Sequence, residues 1–214
     1  MTQQQTQAPA MVPNEAFGQM PSEAQVERTV AALTANGFKV LIVNTGEEAK
    51  AKLYELLPPG VEVGSAISTT LQTLGITKEI NESGKYDSLA TRQAKMDYKT
   101  QGKEIKKLVS APDYMVGSVH AVTEDGHTLT GSGSASQIGP YAYSANKVIL
   151  IVGMQKIVKD VAAGLRRLEE YVLPLEDVRM KGLKYAGANL RKILIVNKDS
   201  ERTTIILVRQ KIGF

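Results

Sequence analysis

Three short segments of the sequence are rich in glycine and in hydroxyl side chains, and each lies at the end of a predicted strand. Backbone N–H groups and hydroxyls at such positions can bind phosphate or carboxylate oxygens. Lys156 directly follows another predicted strand and could meet the same anion. We therefore predict one anion-binding pocket at the carboxyl edge of a sheet, with Lys156 as its only fixed positive charge. The predicted ligand-binding residues are Ser68, Thr69, Thr70, Gly117, Ser118, Gly131, Ser132, Gly133, Ser134, Ser136, Gln137 and Lys156.

A further candidate is the carboxylate of Glu124, which follows a predicted strand at the turn 123–126. A carboxylate at such a position could act as a general base or a nucleophile if burial raised its pKa. A hairpin turn is the plainer interpretation of the same residues. The other candidates also have interpretations that involve no ligand: an N-cap cluster at 64–70, a linker at 131–140 and a surface lysine at Lys156. Both kinds of interpretation stay open at this point.

The elements around these segments alternate between strands and helices. Short apolar runs predict strands, and apolar residues that recur three or four positions apart predict helices. This alternation is typical of parallel β-α-β units. We predict a single α/β domain over residues 21–214, with a mainly parallel sheet and helices on both faces, after a flexible tail over residues 1–20. The predicted strands are 38–43, 61–64, 114–119, 127–130, 147–152, 192–197 and 203–209, and the predicted helices include 22–37, 47–57, 85–108 and 161–172.

Composition excludes several classes of function. The 214 residues include no cysteine and only two histidines, so thiolate-held clusters, disulfides and a histidine-rich metal site are excluded in this chain. The sequence contains no Walker phosphate-binding motif, no Gly-x-Gly-x-x-Gly motif in its first β-α unit and no nucleophile elbow. Nicotinamide dehydrogenases and serine hydrolases of the elbow type are therefore disfavoured. No apolar run is long enough for a membrane helix and no signal sequence is seen, so we predict a cytoplasmic protein without membrane insertion.

The basic segment 85–107 raises the question of nucleic-acid binding. Proteins that bind single strands usually stack bases on aromatic side chains, whereas this chain has no tryptophan and three phenylalanines. We therefore predict that the segment is the solvated face of one long helix, and that nucleic acid is not a partner.

Several of these residues together resemble one known family. They are 117–126 (GSVHAVTEDG), the Gly/Ser segment that ends at Ser136-Gln137, and 148–158 (VILIVGMQKIV). This combination is similar to the LUD (lactate utilisation domain) family, in particular to the lactate-utilisation protein C subunit, over residues 21–214. The resemblance implies the fold of glucosamine-6-phosphate deaminases, ribose-5-phosphate isomerases and coenzyme A transferases.

The resemblance also implies a role in lactate utilisation, as a non-redox subunit or accessory of an L-lactate-oxidising complex. Iron–sulfur clusters would then belong only to partner subunits. The chain lacks the Cys-rich segment that many relatives carry, and an arginine of their central loop is absent at 131–135. The alternative is a stand-alone enzyme acting on a phosphorylated sugar or an acyl-CoA-type substrate, with Glu124 as the catalytic carboxylate by analogy with coenzyme A transferases.

Overall fold

The computed structural model describes residues 11–214. Its helices are α1 (Glu23–Ala35), α2 (Gly46–Leu56), α3 (Thr69–Thr73), α4 (Ile76–Glu82), α5 (Leu89–Gln93), α6 (Gly102–Ser110), α7 (Val161–Arg167) and α8 (Leu173–Gly182). Its strands are β1 (Lys39–Val43), β2 (Glu62–Ser65), β3 (Asp87–Ser88), β4 (Tyr114–Gly117), β5 (Ala121–Thr123), β6 (Thr128–Ser132), β7 (Lys147–Gly153), β8 (Ile157–Val158), β9 (Lys192–Val196) and β10 (Thr203–Val208).

The larger sheet has six parallel strands in the order β1-β10-β7-β4-β2-β3. Apolar residues of β7 point alternately to its two faces, with Val148, Leu150 and Val152 in one core cluster and Ile149 and Ile151 in the other. Helix α1 covers the first face, and α2, α3 and α4 cover the second. This arrangement confirms the predicted parallel sheet with helices on both faces, because a strand buried on both sides must be apolar throughout.

A second sheet, in the order β8-β5-β6-β9, packs beside the first. Strand β6 pairs antiparallel with both β5 and β9. The last two strands are adjacent in sequence but lie in different sheets, since β9 pairs with β6 whereas β10 lies between β1 and β7. Helices α7 and α8 are joined without a break by the π-helical turn Leu168–Val172, and this long helix packs on the second sheet.

The single long helix predicted over 85–108 is wrong. The segment contains β3, α5 and α6, and a turn separates the two helices. Asp97 causes the interruption, because its carboxylate accepts hydrogen bonds from the Lys99 N–H (2.9 Å) and the Thr100 hydroxyl (3.1 Å). Aspartate side chains that bond to nearby backbone in this way compete with helix formation. Only Ile105 of α6 is buried, so the lysines on this segment remain in solvent as predicted.

The predicted flexible tail needs a partial correction. Residues 1–10 lie outside the described residues, but Glu15–Gly18 form a 3₁₀ turn that packs on α7 and the π-turn. The Asn14 N–H donates to the Glu170 carbonyl (2.8 Å), and the Arg167 Nε donates to the Phe17 carbonyl (3.0 Å). A polar, aperiodic sequence is therefore held in place by contacts distant in sequence. Among residues 11–214, no helix combines the length and apolar character needed to span a membrane.

Candidate functional site

A cavity of about 450 Å³ lies between the carboxyl edge of the larger sheet and the wall formed by β6 and the α7–α8 helix. The chain segments after β2, β4 and β6, together with the turn after β7, all contribute to it. Ten predicted residues therefore share one cavity, which Thr70 and Gly117 do not line directly. Those ten are Ser68, Thr69, Ser118, Gly131, Ser132, Gly133, Ser134, Ser136, Gln137 and Lys156.

Lys156 is almost completely buried at the floor of this cavity, with 1% of its surface exposed. Its Nζ donates to Thr70 Oγ1 (3.0 Å), Ser118 Oγ (3.1 Å) and the Val119 carbonyl (3.2 Å). Within the described residues no carboxylate forms a salt bridge with it. Burial, and then the positive charge of Arg167, hold the pKa of Lys156 well below its usual value. These surroundings disfavour the charged form of Lys156, so the fixed positive charge expected there stays a prediction.

Thr70 and Gly117 act behind the cavity wall. The Thr70 hydroxyl is fully buried and holds the Lys156 amine. Gly117 leaves room for Tyr141, because a Cβ on Gly117 would lie 1.6 Å from the Tyr141 hydroxyl oxygen. That hydroxyl donates to the Ser118 carbonyl at 3.3 Å. Gly117 thus shapes the strand end and does not line the cavity directly.

The segment 131–137, which we call the Gly/Ser loop, is folded by its own hydrogen bonds. Ser132 Oγ donates to Gln137 Oε1 (3.1 Å) and accepts from the Ala135 N–H (2.8 Å). Ala135 adopts a left-handed conformation with φ of 70°. Ser134 and Ser136 are exposed, and their hydroxyls lie 3.2 Å apart at the cavity mouth. The loop is therefore a defined turn with two exposed hydroxyls at the cavity mouth, not a linker.

Two arginines outside the predicted set also line the cavity. Arg179 of α8 donates from Nε and Nη2 to the two carboxylate oxygens of Glu176 (2.7 and 2.6 Å). Arg191 precedes β9 and is exposed, and in the described part of the chain it forms no salt bridge. Its backbone N–H donates to the Ser132 carbonyl (3.2 Å), which fixes its position beside the Gly/Ser loop. Only the pairing of β6 with β9 brings it there, a contact that local sequence patterns do not reveal.

His120 lines the cavity, and the buried Arg167 lies behind it. His120 Nδ1 accepts from the Gly131 N–H at 3.0 Å, so the ring carries its proton on Nε2. Burial, helped by the nearby Lys156 and Arg167, lowers the pKa of His120 to about 3, so the ring is neutral. Arg167 is fully buried, donates to the His120 carbonyl and lies 5.1 Å from the Tyr171 ring centre. His120 thus presents a neutral ring at the cavity wall, and the Arg167 guanidinium is the buried cation behind it.

Glu124 does not line the cavity. Its carboxylate accepts from Gln25 Nε2 (2.8 Å) and from Arg28 Nε and Nη2 (2.9 and 2.6 Å) on α1. Partial burial alone would raise the pKa of Glu124, but the hydrogen bonds from Gln25 and Arg28 outweigh it and lower the pKa below its usual value. The structure therefore separates Glu124 from the other predicted residues and removes the raised basicity that a catalytic carboxylate would need.

Glu124→Gln is accordingly expected to leave anion binding to the cavity unchanged. It should lower the free energy of unfolding by no more than about 1 kcal/mol, because the Arg28 side chain is largely exposed. Titration calorimetry and urea denaturation of the variant check both statements. A fall in anion affinity of about tenfold or more would return Glu124 to the site.

The chain is similar to known proteins over most of its length. A family model described as the LUD domain matches residues 26–208, which include all of the cavity segments between β2 and β9. The chain belongs to the LUD domain family. A crystal structure of a DUF162 family protein from Deinococcus radiodurans is similar to this LUD protein, with a TM-score of 0.54 and 11% sequence identity. The similarity covers 88% of this chain and 99% of that one, and at this identity it supports the fold alone.

No curated protein matches the chain. Within residues 11–214, no group of three or more histidine, cysteine or acidic side chains is placed to hold a metal ion. Beside apolar residues, the cavity is lined by hydroxyls, amides, two guanidinium groups, one imidazole and one buried amine, and its one acidic side chain, Glu176, is paired with Arg179. Such a donor set suits carboxylate or phosphate oxygens.

Proposed function

We propose that this LUD protein binds a small organic anion in the cavity and serves lactate utilisation as a non-redox component of an L-lactate-oxidising system. Membership of the LUD family supports the link to lactate. The absence of cysteine from the sequence supports a non-redox role, with iron–sulfur clusters on partner chains. The observation that carries the proposal is the convergence of Arg191, the Gly/Ser loop and Ser68 on one cavity.

The charge of the anion would be met by Arg191. A guanidinium presents two parallel N–H groups that match a carboxylate, and Arg191 has no acidic partner among the described residues. Arg179 is already compensated by Glu176. The hydroxyls of Ser134 and Ser136 would add neutral donors without the cost of removing a second charge from water. The volume of about 450 Å³ lies within the range typical of small-molecule pockets.

Arg191→Ala is expected to weaken binding of a three-carbon acid by about tenfold or more, because a hydrogen bond to a charged group contributes about 1.5–3 kcal/mol. Titration calorimetry with L-lactate, pyruvate and inorganic phosphate measures the loss and identifies which anion binds. Arg92→Ala is the matched control, since Arg92 is a surface residue of α5 paired with Glu62 and Asp87. Equal affinities of the wild type and Arg191→Ala, or no binding of any of the three anions, would contradict the proposal.

The lactate role itself is tested by growth. A deletion strain is expected to grow poorly on L-lactate as sole carbon source and normally on glucose, and the wild-type gene should restore growth. The Arg191→Ala gene should restore it only in part if anion binding is what the pathway needs. Unchanged growth of the deletion strain on lactate would contradict the lactate role while leaving anion binding to be judged by calorimetry.

The second candidate function is a stand-alone enzyme acting on a phosphorylated sugar or an acyl-CoA-type substrate. One observation favours the acyl substrate: the buried amine of Lys156 lies 3.1 Å from the hydroxyl oxygen of Ser118 inside the cavity. Turnover by the pure protein, without any partner chain, distinguishes this candidate from an accessory subunit.

A further inference from the structure

We infer that Ser118 and Lys156 form a serine–lysine pair that transfers the acyl group of a small ester or thioester. Both residues line the cavity, and the distance of 3.1 Å between Ser118 Oγ and Lys156 Nζ is that of a nucleophile and its base. Serine–lysine pairs are a known variant of the serine–histidine–aspartate arrangement and need no nucleophile elbow. The inference does not depend on lactate or on the anion bound by Arg191.

Three oxygens fix the position of the lysine amine. The Val119 carbonyl at 3.2 Å can only accept, so it takes one N–H of the amine. The hydroxyls of Thr70 and Ser118, at 3.0 and 3.1 Å, can either accept or donate. The Ser118 hydroxyl also lies 3.3 Å from the Val119 carbonyl, to which it can donate. Rotation of this O–H would point it at the lone pair of a neutral Lys156 amine, which is the direction that proton removal requires. Thr70 acts as a positioning residue, since it touches the amine and does not line the cavity.

The groups around Lys156 disfavour its charged form. Arg167 of α7 and the neutral ring of His120 lie near its amine, and the Tyr141 hydroxyl donates to the Ser118 carbonyl. The remaining charged residues that line the cavity are Glu176, held by Arg179, together with Arg179 itself and Arg191. Burial and the charge of Arg167 lower the pKa of Lys156 and so favour the neutral amine, which is the form that can accept a proton.

The reaction balances with water as the only co-reactant. Ser118 Oγ attacks the acyl carbon while its proton moves to Lys156 Nζ, and the bond from the acyl carbon to the thiol or alcohol then breaks. The leaving group takes the proton from Lys156, which leaves an ester on Ser118. Water attacks that ester, gives its proton to Lys156 and releases the acid, and Ser118 takes the proton back. His120 Nε2–H adds a neutral donor to the cavity in which negative charge develops on the carbonyl oxygen.

The experiment uses the purified full chain and an uncharged alkyl fluorophosphonate, which reacts with an activated serine and releases fluoride. Intact-mass spectrometry and peptide mapping are expected to place one adduct on Ser118. Ser118→Ala and Lys156→Met should each lower the labelling rate by about 100-fold or more. Ser200→Ala and Lys159→Met remove an exposed serine and an exposed lysine outside the cavity and should label at the wild-type rate.

The pH dependence separates a base from a merely structural lysine. Labelling should rise with pH and level off above the lowered pKa of Lys156, well before the range in which an ordinary lysine titrates. Thr70→Val removes an oxygen that can accept from the ammonium form, so the midpoint of this profile should move to lower pH. A pH profile identical in the wild type and Thr70→Val would overturn the role of Thr70 as a positioning residue.

Turnover of an acetyl thioester and of an acetyl ester by the same protein identifies the leaving group, and either supports acyl transfer. Labelling at a residue other than Ser118, labelling unaffected by Lys156→Met, or hydrolysis of neither substrate would overturn the inference. Circular dichroism confirms that each variant is folded before its rate is compared. Calorimetry with pyruvate on the same variants reports anion binding separately, so failure of the acyl-transfer inference is distinguishable from failure of the proposed function.

Discussion

Replacing Lys156 by methionine is expected to stabilise the protein at neutral pH, because folding then no longer has to lower the pKa of a buried amine. In the wild type, burial and Arg167 lower the pKa of the folded-state amine, whereas in the unfolded chain the pKa returns to about 10.4. Between these two values the unfolded state binds one more proton than the folded state. The free energy of unfolding therefore rises with pH in this window, by up to about 1.4 kcal/mol per pH unit.

Lys156→Met should remove this slope. Urea denaturation of the wild type and the variant, from about pH 6 to about pH 10, compares the two curves, which should converge as the pH rises towards the ordinary pKa of lysine. Lys159→Met is the matched control, since Lys159 is exposed three residues further on and should keep the wild-type slope. Parallel curves for the wild type and Lys156→Met would show that the amine is charged in the folded protein.

Gly117→Ala is expected to destabilise the protein by about 1–3 kcal/mol, the usual cost of adding atoms to a packed interior. The new Cβ would lie 1.6 Å from the Tyr141 hydroxyl oxygen and 2.8 Å from its ring carbon Cζ, so the buried tyrosine must move. The hydrogen bond from Tyr141 to the Ser118 carbonyl would then be lost. Differential scanning calorimetry measures the loss of stability.

A glycine of the same chain provides the control for this substitution. Gly182 ends α8, and no atom lies within 4 Å of the position that a Cβ would take there, so Gly182→Ala should leave stability unchanged or raise it slightly. Tyr141→Phe in the Gly117→Ala background should recover part of the loss, because it removes the nearest clashing atom. Equal stability of Gly117→Ala and the wild type would mean that Tyr141 does not pack against this strand end.

The sheet and the place of the cavity could be predicted because they depend on local patterns. An apolar run such as that of β7 is typical of a strand buried on both faces, and Val148 and Ile149 indeed enter opposite core clusters. The carboxyl ends of parallel strands share one edge, so segments that follow different strands were expected to meet there. Ser68, Ser118 and Lys156 accordingly line a single cavity.

The parts that could not be predicted depend on contacts distant in sequence. Glu124 forms a salt bridge with Arg28 of α1 and does not line the cavity. Arg191 lines the cavity because β9 pairs with β6. The charge state of Lys156 depends on its burial and on Arg167, neither of which its neighbours in sequence reveal. The interruption at Asp97 is a local effect, and an aspartate followed by Thr100 in the middle of a predicted helix is a signal that could have been weighed.

The location of a bound anion tests the central claim most directly, namely that the cavity is the functional site of this LUD protein. A crystal structure with whichever of L-lactate, pyruvate or phosphate binds in calorimetry should show the anion in the cavity. Its oxygens should contact the Arg191 guanidinium and donors of the Gly/Ser loop, close to Ser118 and Lys156. An anion bound outside the cavity, or inside it without contact to either Arg191 or the Gly/Ser loop, would contradict the account.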